Sequence, residues 1–352
     1  MTRSPRQYRR EPEPSAPPDG PAVPAGRLPS AAPHPLRVRA RYNARRTLDR
    51  LDNEPVRRGR GLLNRLRSDP PDVVYLGDSA LSFVGPQDSD RRRLGAMVAD
   101  LLGPHTSLKG VDGASYHPDL FDAYLGLLKA TPHRPVVLLP LCVRVRTPQL
   151  MEHPTYAHKK AVQFLRQVDP SRGAWRVRQA WPRPTGSDFE EFHRVSHSTL
   201  LGDWTIGDYL ERIEASQSSG DQISRIKTLY AYLHGGLLEA GSPAMESVTR
   251  MGRTVRELGC PAVVYQTPVP VETGVAYLGQ ALADRTAANF AVLNAAYRLG
   301  AGEDVEIIES GAAFADSEFI DPTDGTEHLN DVGRLRLAEM MVAGINRLRT
   351  PG

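Results

Sequence analysis

A serine and a histidine near opposite ends of the chain are the strongest candidates for chemistry. Ser79 lies in VYLGDSALS, directly after an apolar run that predicts a buried strand, and His328 lies in DPTDGTEHLNDVG, just before a helical pattern. A serine at a strand-to-helix turn can present its hydroxyl outward while its backbone N–H points at a developing oxyanion. A histidine can take the hydroxyl proton, and a nearby carboxylate can hold the imidazole tautomer. The two segments predict nucleophilic acyl transfer.

Taken together, the two segments resemble the GDSL, or SGNH, hydrolase family. In that family the serine sits in a Gly-Asp-Ser block after the first strand, and aspartate and histidine share a short block before the last helix. Ser79 and His328 match those positions, and the resemblance covers about residues 72–145 and 245–348. It implies a serine esterase or acyl hydrolase, or an acyltransferase, that acts on a small-molecule or glycan ester without metal or cofactor.

The resemblance also implies an oxyanion hole built from the N–H groups of Ser79 and Gly113. The stretch GVDGAS at 110–115 resembles the family's second block, with Gly113 as the best match. The third block, Gly-x-Asn-Asp, is replaced by LPLCVRVR at 139–146, and Arg144 falls nearest the asparagine position. A guanidinium can donate to an oxyanion or bind a substrate carboxylate or phosphate. The alternative is that Arg144 is a structural ion-pair residue and the hole is incomplete.

Two aspartates are candidates for the acid that orients His328. Family members commonly place aspartate three residues before the histidine, where this chain has Gly325. Asp324 is our first choice because a turn longer by one residue brings it to the imidazole, and Asp321 is the alternative acid. Glu327 is adjacent to His328, and we expect its side chain to point away from the imidazole.

Short apolar runs alternate with helical patterns and predict the frame that positions these residues. Strands are expected at about 72–76, 107–113, 135–145, 262–266 and 305–308, and helices at about 91–102, 119–130, 222–238, 245–258, 284–299 and 331–348. This alternation predicts an α/β fold with a mostly parallel sheet in a three-layer α/β/α arrangement of the flavodoxin-like kind. In such sheets, reactive groups gather beyond the carboxyl ends of the strands.

Residues 151–242 do not show this alternation of strands and helices, and we expect them to form a helical insertion. A long insertion at the carboxyl end of a sheet usually covers the pocket, so we interpret it as a lid; an ordinary surface subdomain is the alternative. His193 and His197 are four residues apart within it. The glutamate of a zinc-protease helix and a third ligand are missing from the pattern, so we expect no metal.

The N-terminal part of the chain carries the basic charge. Residues 1–60 hold 14 Arg and 6 acidic residues, a balance of +8, which leaves −5 of the net +3 for the remainder. Residues 1–35 are rich in Pro and Arg and are expected to be disordered. Residues 36–68 are expected to form a basic helical arm, and residues 69–352 the hydrolase-like domain.

Composition excludes several classes of protein. No apolar run approaches the 18 or so residues of a membrane span, and two cysteines cannot form a disulfide framework, so we expect a cytoplasmic protein. No nucleic-acid module accompanies the charge, so nucleic acid is not an expected partner. Two alternatives stay open: a non-catalytic SGNH-like binding protein with a degenerate oxyanion hole, and an arm that docks a partner or a polyanion. The oligomeric state is left open.

Overall fold

The computed structural model describes residues 54–113, 116–144, 158–169, 221–303 and 305–349. These residues belong to one compact unit. The predicted tail, the first part of the predicted arm and most of the predicted insertion, including His193 and His197, lie outside the described residues. No helix in the described ranges has the length and apolar character needed to cross a membrane.

Five parallel strands organise the described part of the chain. They are β1 (Val73–Gly77), β2 (Leu108–Asp112), β3 (Val136–Leu141), β4 (Ala262–Gln266) and β5 (Glu306–Ile308). The order across the sheet is β2-β1-β3-β4-β5, and every neighbouring pair is parallel. This confirms the expected α/β class. The order reverses between β1 and β3, and in doubly wound sheets ligands bind outside the carboxyl ends of the strands at that point.

Ten helices connect and cover these strands within the described residues. They are α1 (residues 54–68), α2 (Ser79–Ser82), α3 (Leu94–Leu102), α4 (Pro118–Leu127), α5 (Lys159–Gln167), α6 (Gln222–His234), α7 (Pro243–Leu258), α8 (Val271–Leu278), α9 (Gln280–Ala301) and α10 (Asp331–Arg349). Short 3₁₀ turns lie at Leu128–Ala130, Asp316–Glu318 and Pro322–Asp324.

Local chemistry explains most of the helix ends. Asp221 and Ser242 cap α6 and α7 by accepting from backbone N–H groups three residues on, as preferred N-cap residues do. Gly259 ends α7 in the left-handed conformation at φ 65°. The helix expected to run to residue 238 ends at His234, because Gly235 and Gly236 follow it and glycine is a poor helix former.

Helices cover both faces of the sheet. In β1, Val74 and Leu76 pack with α1, α4, α7 and α9 on one face, while Val73 and Tyr75 pack with α3 and α10 on the other. The alternation follows from the period of two in strand side chains. Both faces of the sheet are therefore covered by helices, and loops follow the strands at its carboxyl edge.

Helix α1 is part of this packing although its sequence is strongly basic. Leu62 and Leu66 are fully buried in the larger core cluster. The hydroxyl of Tyr124 on α4 donates to the Pro55 carbonyl at 2.8 Å. The second half of the predicted arm is thus integrated into the folded unit, with its arginines on the outer side.

The segment after α2 is tied to the start of α10. Arg334 is fully buried and forms an ion pair with Asp88 at 2.7 Å, and its guanidinium also donates to the Asp90 carbonyl at 2.8 Å. The carboxylate of Asp331 accepts from the backbone N–H groups of Ser89 and Asp90. These bonds join the chain segment that follows Ser79 to the helix that follows His328.

Candidate active site

The turn that carries Ser79 lies at the topological switch point. Strand β1 ends at Gly77 and α2 begins at Ser79. Asp78 caps α2, because its side chain accepts from the Ala80 N–H at 2.9 Å. Ser79 is partly exposed, whereas Asp78 is buried. The local fold therefore places the Ser79 side chain just beyond the carboxyl end of β1.

An extended segment before α10 carries His328. The His328 carbonyl accepts from the Ile320 N–H at 2.9 Å, and Phe319 and Leu329 pair in antiparallel fashion. Side chains alternate along extended backbone, so Thr326 and His328 share one side, and Glu327 and Leu329 take the buried side. Glu327 thus points away from the imidazole, as expected.

The imidazole of His328 is held on two sides. Its ring stacks on Phe83 with centroids 4.4 Å apart and planes 6° from parallel. Its Nδ1 lies 3.1 Å from the Thr326 hydroxyl. Its Nε2 is buried and has no hydrogen-bond partner among the residues that the structure describes. The ring is therefore oriented by one nitrogen while the other is unbonded.

Phe83 also links the histidine to the serine. The Phe83 N–H donates to the Ser79 carbonyl at 3.0 Å, which closes the turn of α2. The stack on His328 therefore brings the Ser79 turn and the histidine segment into contact. No hydrogen bond joins Ser79 Oγ to His328 Nε2. Hydrogen bonds between catalytic groups are often long or poorly aligned without substrate.

Burial lowers the pKa of His328 below its ordinary value. The positive charge of Arg144 lowers that pKa further, and the carboxylates of Glu327 and Asp324 act in the opposite direction. A histidine with a lowered pKa is neutral at physiological pH, which is the form that can accept a proton.

The two candidate acids occupy different positions. Asp324 is half-buried, and its Oδ1 accepts from the Thr326 N–H at 2.8 Å and from the Thr326 hydroxyl at 2.6 Å. Asp321 is exposed and caps the Pro322–Asp324 turn by accepting from the Thr323 N–H at 2.9 Å. Neither carboxylate bonds directly to His328. Asp324 is the one connected to it, through Thr326.

Arg144 follows β3 on the other side of the switch point, where it forms an ion pair with a buried carboxylate. Its guanidinium lies 2.8 Å from the Glu327 carboxylate, whose side chain is 1% exposed. Burial has the largest single effect and lowers the pKa of Arg144, but Glu327, Cys142 and Asp78 together outweigh it and keep that pKa above its ordinary value. The Cys142 thiol donates to the same carboxylate at 3.6 Å. The position of Arg144 is therefore consistent with the alternative that it is a structural ion-pair residue.

Asp78 adds a second carboxylate to this buried group. Burial raises the pKa of Asp78 to about 6, and the negative charge of Glu327 adds to the rise, while Arg144 acts against it. Oδ2 of Asp78 has no hydrogen-bond partner in the described part of the chain. Asp78, Glu327 and Arg144 therefore form one group of interacting charges beside the candidate site.

Gly113 lies beside Asp78 at the same edge of the sheet. Gly77 pairs with Asp112 across β1 and β2, so the residues that follow them are neighbours. A Cβ on Gly113 would come within 2.5 Å of the Tyr116 ring. The close approach of that ring requires glycine here, whatever the role of its N–H.

Helix α6, at the end of the predicted insertion, supports the turn that carries Asp324. The Tyr230 hydroxyl lies 2.6 Å from the Pro322 carbonyl and 3.0 Å from the Pro270 carbonyl. The buried His234 bonds through Nε2 to the Gly325 carbonyl at 2.7 Å. A carbonyl only accepts, so Nε2 of His234 carries the proton. Burial lowers the pKa of His234, which favours this neutral form.

Sequence reasoning missed Thr326, Phe83 and the pairing of Glu327 with Arg144. The Asp-x-Thr pattern at 324–326 is a turn signal, because Asp side chains bond to the backbone two residues on. Phe83 lies four residues after Ser79, one helical turn away. The Glu327 contact joins distant parts of the chain and leaves no local signal.

No group of three or more His, Cys, Asp or Glu side chains in the described ranges is arranged to hold a metal ion.

In comparisons with known proteins, no protein-family model and no curated protein matches this chain.

Proposed function

We propose that this chain is a GDSL-like serine esterase or acyl hydrolase that cleaves a carboxylic ester, with Ser79 as nucleophile and His328 as general base. One observation carries the proposal. Phe83 links the Ser79 turn to the His328 ring at the switch point of the sheet, because its N–H bonds to the Ser79 carbonyl and its ring stacks on the imidazole, whose Nε2 has no hydrogen-bond partner among the described residues.

The proposed first step is a proton transfer coupled to attack. Nε2 of His328 takes the hydroxyl proton of Ser79 while Oγ forms a bond to the ester carbonyl carbon. The carbonyl π electrons move to oxygen and form a tetrahedral oxyanion. Collapse of that intermediate expels the alcohol, which receives the proton from His328, and leaves an acyl group on Ser79.

Three groups stabilise the oxyanion in this proposal: the N–H groups of Ser79 and Gly113, and the guanidinium of Arg144. Loss of a single such donor typically slows the reaction about 10²- to 10³-fold. The ion pair with Glu327 would fix the position of Arg144. A fixed donor is more effective than a mobile one because it needs no reorganisation when charge develops.

Water completes the cycle by attacking the acyl-enzyme, with His328 again as base; an acceptor alcohol would make the enzyme an acyltransferase. The insertion at 151–242 is proposed as the lid that selects between them. The proposed substrate is a small-molecule or glycan ester, no step needs a metal or cofactor, and the proposed location is the cytoplasm.

The direct test is turnover of short- and medium-chain p-nitrophenyl esters. Ser79→Ala should lower kcat/KM at least about 10³-fold, because the nucleophile acts as a unit with its base. Ser82→Ala is the matched control, since Ser82 lies in the same short helix and, within the described residues, its hydroxyl bonds only to the Ser79 carbonyl. Equal activity of Ser79→Ala and wild type would overturn the assignment.

A non-catalytic binding protein is the second candidate. It is favoured by the missing hydrogen bond between Ser79 and His328 and by the engagement of Arg144 with Glu327. A binding protein would turn over none of the esters and would bind a glycan or glycan ester equally well before and after Ser79→Ala.

A further inference from the structure

Thr326 stands between the candidate acid and the candidate base. Its side chain and that of His328 lie on the same side of an extended segment, two residues apart. The Thr326 hydroxyl is 2.6 Å from Asp324 Oδ1 and 3.1 Å from His328 Nδ1. The backbone N–H of Thr326 also donates to Asp324 Oδ1, at 2.8 Å. The three side chains form an unbroken chain of short contacts.

The direction of the hydrogen bonds along this chain follows from their chemistry. A carboxylate oxygen accepts and does not donate, and a hydroxyl has a single proton to give. The hydroxyl proton of Thr326 therefore goes to Asp324. The hydroxyl oxygen still has a lone pair, so the contact with His328 is made by Nδ1–H donating to it. This fixes the proton on Nδ1 and leaves the lone pair on Nε2.

We infer that Thr326 is a positioning residue that connects His328 to Asp324, replacing the direct carboxylate–imidazole bond of a serine-hydrolase triad with a bond through a hydroxyl. This inference rests on the proposed function. Thr326 selects the tautomer in which Nε2 is the base. When Nε2 takes the Ser79 proton and the ring becomes a cation, Nδ1–H donates more strongly to Thr326, which in turn donates to the Asp324 carboxylate.

The surroundings of the imidazole leave this role to Thr326. The charged groups that act on His328 are Glu327, Arg144 and Asp324. Glu327 is directed to the other side of the segment and is paired with Arg144. Phe83 covers the ring face and offers no acceptor in the ring plane. Among the described residues, only the Thr326 hydroxyl bonds to a ring nitrogen of His328.

The test compares Thr326→Val, Thr326→Ser and the control Thr323→Val. Valine keeps the branched shape of threonine and removes the hydroxyl, whereas serine keeps the hydroxyl. Thr323 lies in the same turn, and its hydroxyl bonds to Asp321 instead. The first readout is the tautomer of His328 by ¹⁵N NMR, with its signals among the ten histidines identified by comparison with His328→Gln. The second readout is the pH profile of kcat/KM on the p-nitrophenyl ester that the wild type turns over best.

We expect wild type, Thr326→Ser and Thr323→Val to carry the proton of neutral His328 on Nδ1, and Thr326→Val to show a mixture of tautomers. Thr326→Val should also lower kcat/KM about 10- to 100-fold, the effect of losing one hydrogen bond to a group that becomes charged. The acid limb of its profile should move to lower pH, because the imidazolium loses its link to Asp324.

Two results would overturn the inference: wild-type His328 protonated on Nε2, or Thr326→Val with an unchanged tautomer and unchanged activity. Failure of the proposed function gives a different pattern. In that case the wild type turns over no ester, while the NMR comparison still reports whether Thr326 orients His328.

Discussion

At the scale of single residues, Asp78 is a buried carboxylate whose stability contribution depends on pH. Its folded-state pKa of about 6 lies above its ordinary value of 3.8. Below about pH 4 the carboxyl is neutral in both folded and unfolded states, so burial of charge costs nothing. As the pH rises through 6, the folded state must ionise a group that the unfolded state ionises freely, and stability is lost.

Asp78→Asn should therefore be more stable than wild type at neutral pH. The amide oxygen can still accept from the Ala80 N–H, so the cap is kept. The stability difference in favour of the variant should grow by about 3 kcal/mol between about pH 4 and about pH 8, measured by urea denaturation. His234 and His328 destabilise wild type and variant alike at acid pH, so their effects cancel. Asp69→Asn, at an exposed site, is the control. A difference that does not change with pH would contradict this explanation.

Phe83 is expected to tune the pH profile of the base. Burial is the main cause of the lowered pKa of His328, and Phe83 covers one ring face while itself remaining 45% exposed. Phe83→Ala should let water reach the imidazole and raise its pKa towards about 6.5. Since the base must be unprotonated, the acid limb of kcat/KM should move to higher pH. Phe83→Leu, which keeps apolar cover, should shift it less; a shift to lower pH would contradict the stacking argument.

The sequence predicted Ser79 and His328 because each lies in a local pattern with its own chemistry. The choice of Asp324 over Asp321 rested only on the length of the turn that precedes His328. The roles of Thr326 and Glu327 depend on the alternation of one short extended segment and on a partner in a distant loop, Arg144. Contacts of that kind are set by the fold and not by neighbouring residues.

At the scale of elements, helix α6 braces the turn that carries Asp324. Tyr230→Phe removes the hydroxyl that bonds to the Pro322 and Pro270 carbonyls. Loss of a buried hydrogen-bond partner typically costs about 1–3 kcal/mol, and residues 321–326 should exchange their amide hydrogens faster. Tyr277→Phe is the control, because the Tyr277 hydroxyl makes no hydrogen bond within the described ranges. Equal effects of the two substitutions on stability and exchange would show that α6 does not brace the turn.

The strands were predicted more accurately than the helices. Strands β1 and β4 agree with the apolar runs to within a residue, because buried parallel strands are continuous apolar segments. The expected strand at 135–145 ends at Leu141, where the chain leaves the sheet towards Arg144. Helix α8 was missed because Pro268 and Pro270 precede it and Gly279 ends it, so its short pattern resembles a loop.

At the scale of the whole molecule, the folded unit includes α1. The prediction of an arm rested on the basic composition of this segment. The structure instead buries Leu62, Leu63 and Leu66, which lie within about one turn of α1. Leu62→Ala should destabilise the protein by about 2–5 kcal/mol, as large-to-small changes at fully buried sites do. Asn64→Ala, on the exposed side of the same helix, should change stability by less than about 0.5 kcal/mol. Thermal or urea unfolding measures both, and a small effect of Leu62→Ala would mean that α1 is peripheral.

The layered architecture and the position of the site at the carboxyl edge follow from the alternation of strands and helices. The sheet order that creates the switch point does not, because the position of each crossover depends on which strands pair in three dimensions. The central claim of the proposed function is that the doubly wound sheet brings Ser79 and His328 together as a nucleophile and its base.

Covalent labelling tests that claim most directly. A fluorophosphonate probe, followed by peptide mapping, should modify wild type once, on Ser79, because only an activated serine reacts. His328→Gln should suppress the labelling, and Ser82→Ala should leave it unchanged. Labelling of wild type at another residue, or a folded protein that leaves Ser79 unmodified, would contradict the account.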